Sequence, residues 1–330
     1  MAAAKYILGI DTSNYKTSVA IVCEDKIVCD LRKFLIVKKG ERGLRQSEAF
    51  FQHIQNLPEM FEAISREKLN ISGISYSYAP RPIEGSYMPC FTAGASFAKS
   101  IGALLNVPVY KFSHQEGHIE AVKYFSQLKD TDEFIGCHFS GGTCEVLKIR
   151  TSKSGERVYD IEQIGGSKDI SFGQVLDRAG VYMDMNFPAG EEMDNLALSS
   201  DIKTSLLTKI KVKDGELNLS GIDTQIKNIL ADIDKYKDQD MTLEAFKAAF
   251  TKEIFTKLSD AIYNLLLQCV KKADMRDILM SGGVSSSLFI RQEIVKKFEQ
   301  SDINIHFDDM NLSSDNAVGT AILGGRFIWE

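Results

Sequence analysis

Residues 111–122 read KFSHQEGHIEAV and carry two of the chain's five histidines. His114 and His118 stand four apart at the start of a stretch with helical character. On a helix, positions i and i+4 share one face, with Cβ atoms about 5–6 Å apart. Two imidazoles so placed can converge on one cation at about 2.0–2.1 Å. The pair needs a third ligand before it differs from two histidines on a solvated face. The zinc-protease signature H-E-x-x-H does not apply, because Gln115 follows His114. The nearby carboxylate, Glu116, is turned about 100° further round the helix and points away from where a protease base would act.

The elements that must position this pair can be read from the pattern of the chain. KYILGID, a polar turn SNYK, TSVAIVCED and KIVCDL predict a β-hairpin and its continuation. Residues 46–69 place Phe50, Phe51, Ile54, Leu57, Phe61 and Ile64 at helical spacing. GISYSYA and VPVYKF read as strands on either side of a small-residue helix, FTAGASFAKSIGALL, and the second strand runs into the histidine helix. A similar round then begins. FIGCHFSGGTCEVLKIR predicts two strands about a Gly-Gly turn, and ERVYDIEQIGG a third. Helices follow over 172–183 and 243–271. MRDILMSGGVSSSLFIRQEIVKKF is strand, turn and helix, INIHFDD a last strand, and SSDNAVGTAILGGRF a last helix opened by a polar cap. Residues 211–240 are charged and read as the least regular part. Similar halves of this kind imply two lobes facing a cleft.

Three polar turns follow strands: DTSNYKTS (11–18), FSGGTCE (139–145) and SGGVSSS (281–287). Glycine lets backbone N–H groups approach phosphate, and neighbouring hydroxyls add donors. None is a Walker loop, since no G-K-[ST] stands at the required spacing. One Gly-Gly turn is usually only a tight turn, but three at equivalent strand ends of a duplicated fold point to a nucleotide.

Composition narrows the class. The 330 residues are 44% hydrophobic and 25% charged, ordinary for a globular protein with room for two core-forming lobes. No apolar run reaches the ~20 residues that span a bilayer, so no membrane partner is expected. MAAAKYILGIDTS lacks a basic segment, an apolar stretch and a cleavage site. The six cysteines are scattered without a C-x-x-C pair, which suits reduced thiols and a cytoplasmic setting. A net charge of −6 lacks the basic face with which a protein grips nucleic acid alone. The local clusters Lys38, Lys39, Arg42, Arg45 and Lys209, Lys211, Lys213 read as solvated surface, so an RNA partner would need help from another protein.

Taken together, LGIDTSNYKTSVAIV, SHQEGHIEAV, SGGTCEVL, DISFGQVLDRAG with FPAG, NLSGIDT, ILMSGGVSSS and SSDNAVGTA resemble the TsaD family of tRNA threonylcarbamoyl-transferases, once labelled O-sialoglycoprotein endopeptidases. The resemblance runs nearly end to end and lies within the actin, Hsp70 and sugar-kinase superfamily. It implies an α/β, two-lobed actin-like ATPase fold, a duplicated ribonuclease-H-like arrangement with an interlobe cleft. Residues 1–109 plus 316–330 would form the N-terminal lobe, and 110–315 a C-terminal lobe with the metal and nucleotide motifs. The resemblance supplies Asp315 as the third metal ligand and His138 as a further one. This set suits iron or zinc, with magnesium admitted. It places contacts to an adenine nucleotide (ATP, AMP or threonylcarbamoyl-AMP) on Ser140, Gly141, Gly142, Asp169, Gly173, Asp177 and Gly190, on Glu192 for ribose, and on Gly282 and Gly283. Asp169 and Asp177 also read as helix caps, and His53 and His306 as structural residues.

The implied reaction moves a threonylcarbamoyl group from its adenylate to N6 of a tRNA adenosine, with tRNA, partner proteins and a homo- or heterodimer as expected partners. The chain departs from the family in the first turn, where Tyr15 and Lys16 replace an acidic pair. It departs again in the longer loop APRPIEGSYMPC (79–90), at Ser287 in place of Asn, and at Gln174 in place of an acidic residue. These departures keep two alternatives open. One is an ATPase or phosphotransferase using Asp11 and Lys16 as catalytic residues. The other is a nucleotide-gated binding subunit without turnover.

Overall fold

The computed structural model describes residues 4–329 except 14, 25, 38–43, 154–157, 238, 239, 310 and 313. Lys38, Lys39 and Arg42 of the first basic cluster, and residue 14 of the first polar turn, thus lie outside the described residues. The chain divides into two compact units, 1–130 with 152–159 and 311–330, and 131–151 with 160–310. Among the described residues no helix is long and apolar enough to cross a membrane.

The first unit is built on β1 (Tyr6–Asp11), β2 (Lys16–Cys23), β3 (Lys26–Phe34), β4 (Ile71–Ala79) and β5 (Val109–Ser113), in the order β3-β2-β1-β4-β5. β1 pairs antiparallel with β2 and parallel with β4, and β4 is parallel to β5. Side chains alternate across this sheet with period two. Leu8, Ile10, Val19 and Ile21 face α1 (Gln46–Ser65) and α2 (Phe91–Leu105), packing on Leu57, Met60 and Ala98. Ile7, Ala20 and Val22 face the opposite layer, α3 (His114–Tyr124) and α9 (Val318–Trp329), through Ala121, Val318 and Ala321. That layer lies close. A β-carbon at Gly9 would fall 2.4 Å from the Ala317 carbonyl oxygen, and one at Gly319 only 1.9 Å from that of Gly117, so α3 and α9 cross backbone to backbone.

The buried stripe of α1 is Ala49, His53, Asn56, Leu57, Met60 and Ile64, whereas Phe51, predicted for the apolar face, is exposed. Two polar residues hold the buried face because β2 satisfies them. Thr17 Oγ1 lies 2.9 Å from His53 Nδ1 and accepts from Asn56 Nδ2 at 3.0 Å.

The second unit repeats the plan. β6 (Glu133–Phe139), β7 (Cys144–Thr151), β8 (Tyr159–Ser167), β9 (Val212–Lys213), β10 (Glu216–Leu217), β11 (Asp277–Ser281) and β12 (Asn304–Phe307) run β12-β11-β6-β7-β8-β10-β9. β6 is antiparallel to β7 and parallel to β11, and β11 is parallel to β12, as in the first unit. Around this sheet lie α4 (Phe172–Tyr182), α5 (Gly190–Leu198), α6 (Ser220–Ala231), α7 (Leu243–Ala273) and α8 (Leu288–Phe298). α7 carries Phe250, Ile254, Leu258 and Leu265 into the core with Ile135, Phe139 and Val146 of the sheet. The mixed α/β fold class and the duplication expected from sequence are both present. The stretch 211–240, read as irregular, contains β9, β10 and α6.

The units divide at other points than 109/110 and 315/316. Their contacts assign the histidine helix and the SSDN turn to the first unit. The cause is the α3–α9 crossing, which ties α3 to the last helix on the β1–β2 face.

Candidate metal centre and glycine turns

In the first unit, β5 delivers the chain directly into α3. Ser113 is the N-cap: its hydroxyl accepts from Glu116 N at 3.2 Å, while Glu116 Oε2 accepts from Ser113 N at 2.8 Å. This capping box fixes the first turn of the helix. Glu116 is therefore consumed in holding the helix, and its other oxygen accepts from Val158 N at 3.2 Å. On the adjacent face the rings of His114 and His118 lie edge to face, 4.3 Å between centroids.

Asp315 meets them from the turn before α9. Asn316 shapes that turn. Its side-chain amide donates to the Leu312 and Ser314 carbonyls at 3.0 and 2.9 Å, and its Oδ1 accepts from Val318 N at 2.9 Å. Asp315 Oδ1 then lies 3.0 Å from His118 Nε2 and 3.6 Å from His114 Nε2. Ligand atoms of His114, His118 and Asp315 all stand within 4.8 Å of one another. Neighbouring donors around one ion at about 2.1 Å are about 3.0–3.4 Å apart, and the two distances from Asp315 lie at or near that range.

Asp11, at the end of β1, stands behind His114. It is 1% exposed, and its Oδ2 accepts from His114 Nδ1 at 2.8 Å and also from the Ser77 hydroxyl. Ser13 N donates to the other oxygen at 2.9 Å. A carboxylate on Nδ1 fixes the tautomer and leaves Nε2 for a metal, the usual arrangement behind a ligating histidine. Without a cation, a proton takes that place. Burial disfavours charge on His114, but Asp11 and then Asp315 outweigh it and raise its pKa to about 10. Burial likewise opposes the charge of Asp315, yet His114 and His118 hold its carboxyl well below the ordinary range. Sequence patterns placed Asp11 but gave it no partner, and Ser77, Asn316 and Glu116 were not singled out for these roles. The capping box S-x-x-E at 113–116 was legible.

Lys16 starts β2 and is 8% exposed, its ammonium 4.6 Å from the centre of the Phe34 ring. Neighbouring Tyr15 is exposed. His138 lies on β6 of the second unit, opposite Glu145 on β7 and Ser281 on β11. The three-residue cluster found among the described residues does not include it. His53 has its pKa lowered to about 4 by burial, and His306 Nε2 lies 3.3 Å from Asp277 on the adjacent strand.

The glycine turns of the second unit gather at the carboxyl end of β6. Ser140 Oγ accepts from Thr143 N at 3.0 Å and from Gly142 N at 3.3 Å, closing the β6–β7 turn. The start of α4 presses on it: a β-carbon at Gly173 would fall 2.6 Å from Gly141 N and from Ser140 O. Ser171 caps α4 and donates to Gly141 O at 2.8 Å. Gly282 has φ +94, and a β-carbon there would meet Phe139 O at 2.5 Å. Only glycine fits it. By contrast Gly142, Gly190 and Gly283 face open space. Asp177 Oδ1 accepts from Ala189 N at 2.9 Å at the start of α5, and Glu192 is exposed on the first turn of that helix.

Asp169 behaves as a cap. Its oxygens accept from Leu219 N at 2.8 Å, Ser220 N at 3.0 Å and Ile170 N at 2.7 Å. Burial raises its pKa, but these donors, Leu219 first, lower it further. The residue that motifs missed is Asp194. It accepts from the Ser287 hydroxyl at 2.5 Å and from Leu288 N and Phe289 N at 2.9 and 3.2 Å, fastening α5 to the start of α8. Ser287 thereby has a structural role where the family expectation was Asn.

The family model described as tRNA N6-adenosine threonylcarbamoyltransferase matches residues 36–322. The chain belongs to the TsaD family. Proteins named tRNA N6-adenosine threonylcarbamoyltransferase from Neorickettsia sennetsu and Thermosipho melanesiensis are 27% and 26% identical to it. The alignments cover 94% and 96% of this chain and 90% and 93% of those proteins. Among solved structures, a ROK hexokinase from Thermus thermophilus superposes with TM-score 0.57 at 9% identity, over 98% of this chain and 99% of that one. Component A of (R)-2-hydroxyglutaryl-CoA dehydratase from Acidaminococcus fermentans gives 0.54 at 12% identity, over 99% and 100%. At such identities the likeness is one of fold. It agrees with the repeated sheet order and places this TsaD chain among actin-like and sugar-kinase folds.

Proposed function

We propose that His114, His118 and Asp315 hold the divalent metal with which this chain works. As a TsaD-family member it transfers a threonylcarbamoyl group from threonylcarbamoyl-AMP to N6 of adenosine in tRNA. The observation that carries the metal reading is the set of three donors within 4.8 Å of one another, with Asp11 fixing the tautomer of His114. A metal bound there would supply Lewis acidity to an oxygen of the donor. Iron and zinc suit two imidazoles and one carboxylate. His138 enters this reading as a further ligand only if its removal lowers metal content.

The protein's own groups orient and position. Asp11 and Ser77 set the His114 ring, and the capping box and Asn316 hold the two ligand-bearing segments. In the second unit an adenine nucleotide would lie against the open backbone at Gly142, Gly190 and Gly283, with Glu192 near for ribose hydroxyls. Asp169 is taken up in capping α6, and Gly173 and Gly282 shape the turns. Among the described residues no side chain at the centre is an unengaged general base, so positioning and electrostatics carry the rate. The net charge of −6 fits tRNA held with help from a partner protein.

The test is incubation of purified protein with threonylcarbamoyl-adenylate and unmodified tRNA, with and without candidate partner proteins. Appearance of the modified nucleoside is expected. Its absence in every combination, with ATP hydrolysed in a parallel incubation that contains ATP, would favour the phosphotransferase alternative.

A further inference from the structure

Lys16 is the feature of the first unit that this account leaves unused. Period-two alternation puts it on the face of β2 that carries Ala20 and Val22 toward α9. Across the ladder, Lys16, Ser18 and Ala20 oppose Phe34, Arg32 and Asp30, so these residues share that face. The same face meets the turn bearing Asp315, since Arg32 Nη1 donates to Ser314 Oγ at 3.0 Å.

The charges there do not balance. Arg32 is neutralised by Asp30, at 2.5 Å between Nη2 and Oδ2. A divalent cation at the histidines would be matched by the carboxylates Asp11 and Asp315. Lys16 then remains as a surplus positive charge. The residue is 8% exposed, and among the described residues its ammonium makes no hydrogen bond or ion pair and lies over the Phe34 ring. Burial, followed by the opposing pulls of Asp315 and Arg32, leaves its pKa lowered. A half-buried ammonium keeps three donors that an acceptor on a ligand could take.

We propose that Lys16 contacts an oxyanion of the substrate held at the His114–His118–Asp315 centre, making it a specificity-determining residue of this chain. The inference rests on the metal reading above. The acyl donor carries two groups of the required chemistry, a phosphate and a threonine carboxylate, and each is a charge-assisted acceptor for a lysine. An acidic residue at this position would repel both.

The experiment is calorimetric titration of zinc-loaded wild type, Lys16→Ala and Lys16→Arg. The probes are AMP, which has the phosphate alone, N-carbamoyl-L-threonine, which has the carboxylate alone, and adenosine, which has neither. Lys16→Ala should weaken one of the two anions about tenfold and leave adenosine unchanged, while Lys16→Arg keeps most of the affinity. Loss with AMP assigns the phosphate, and loss with N-carbamoyl-L-threonine the carboxylate. Equal affinity in wild type and Lys16→Ala, an equal loss in both variants, or no binding of either anion to the wild type would overturn the proposal. Zinc content on the same samples separates the two readings. Wild type without zinc overturns the metal reading, whereas zinc-loaded wild type with anion binding independent of Lys16 overturns this one.

Discussion

The two units share a strand order, yet they place their chemistry in different parts of the chain. In the first unit it lies in side chains: two imidazoles and a carboxylate, each held by a named neighbour. In the second it lies in backbone, where glycines bring turns together at the end of β6. Side chains tolerate loss of a neighbour by shifting, whereas a glycine turn has no slack where a β-carbon would meet main chain. Duplicated scaffolds can therefore diverge in what their equivalent strand ends present without altering their sheets.

This contrast gives graded expectations. The largest stability effect should come from Gly173→Val, whose side chain would displace the Ser140–Gly141 turn at a cost of about 3 kcal/mol. Gly142→Val, facing open space, should cost within about 0.5 kcal/mol. Urea denaturation of both variants measures the difference, and equal losses would remove the distinction between packed and open glycines. The first unit offers the counterpart. Asp11→Ala should leave the ligands in place but weaken metal binding about 10–100-fold, as loss of an outer-shell carboxylate does. Competition with a chromophoric chelator reads this, and unchanged affinity would show that Asp11 does not orient His114.

Smaller is the effect of Asp194→Ala, which removes the acceptor of Leu288 N and Phe289 N beside the Ser287 N-cap of α8 and should lower stability by about 1 kcal/mol. Thermal melts at fixed pH will show it, and no change would mean that Ser287 caps the helix unaided. The smallest concerns His53. Its folded pKa, lowered to about 4, lies below the unfolded value near 6.5, so the unfolded chain binds the extra proton between these limits. Stability should fall as pH drops from about 6.5 toward 4, and His53→Gln should flatten that limb. Parallel slopes in the two proteins would place the titration elsewhere.

How much was legible in sequence follows the same divide. The histidine spacing and the glycine turns are local, and they stand where expected. Most strands of both halves also followed from alternating apolar runs and turns. Asp11 behind His114 could not be read, because 103 residues separate them and only β1 and β5 flanking β4 bring them together. Asp194 was hidden for the same reason, since the helix it caps begins 94 residues later. On α1, Phe51 is exposed where the apolar spacing placed it inside, because partners on β2, not hydrophobicity, bury His53 and Asn56. The region 211–240 looked irregular because its charge masks Ile222, Ile226 and Ile229, the buried stripe of α6.

Whether His114, His118 and Asp315 bind one metal ion decides most directly how this chain works. Elemental analysis of wild type, His114→Ala, Asp315→Ala, His138→Ala and the double variant His114→Ala, His118→Ala, each purified without chelator, measures this. One equivalent of iron or zinc in the wild type, and its loss from the His114 and Asp315 variants, is the predicted result. Full occupancy in the double variant His114→Ala, His118→Ala would contradict it.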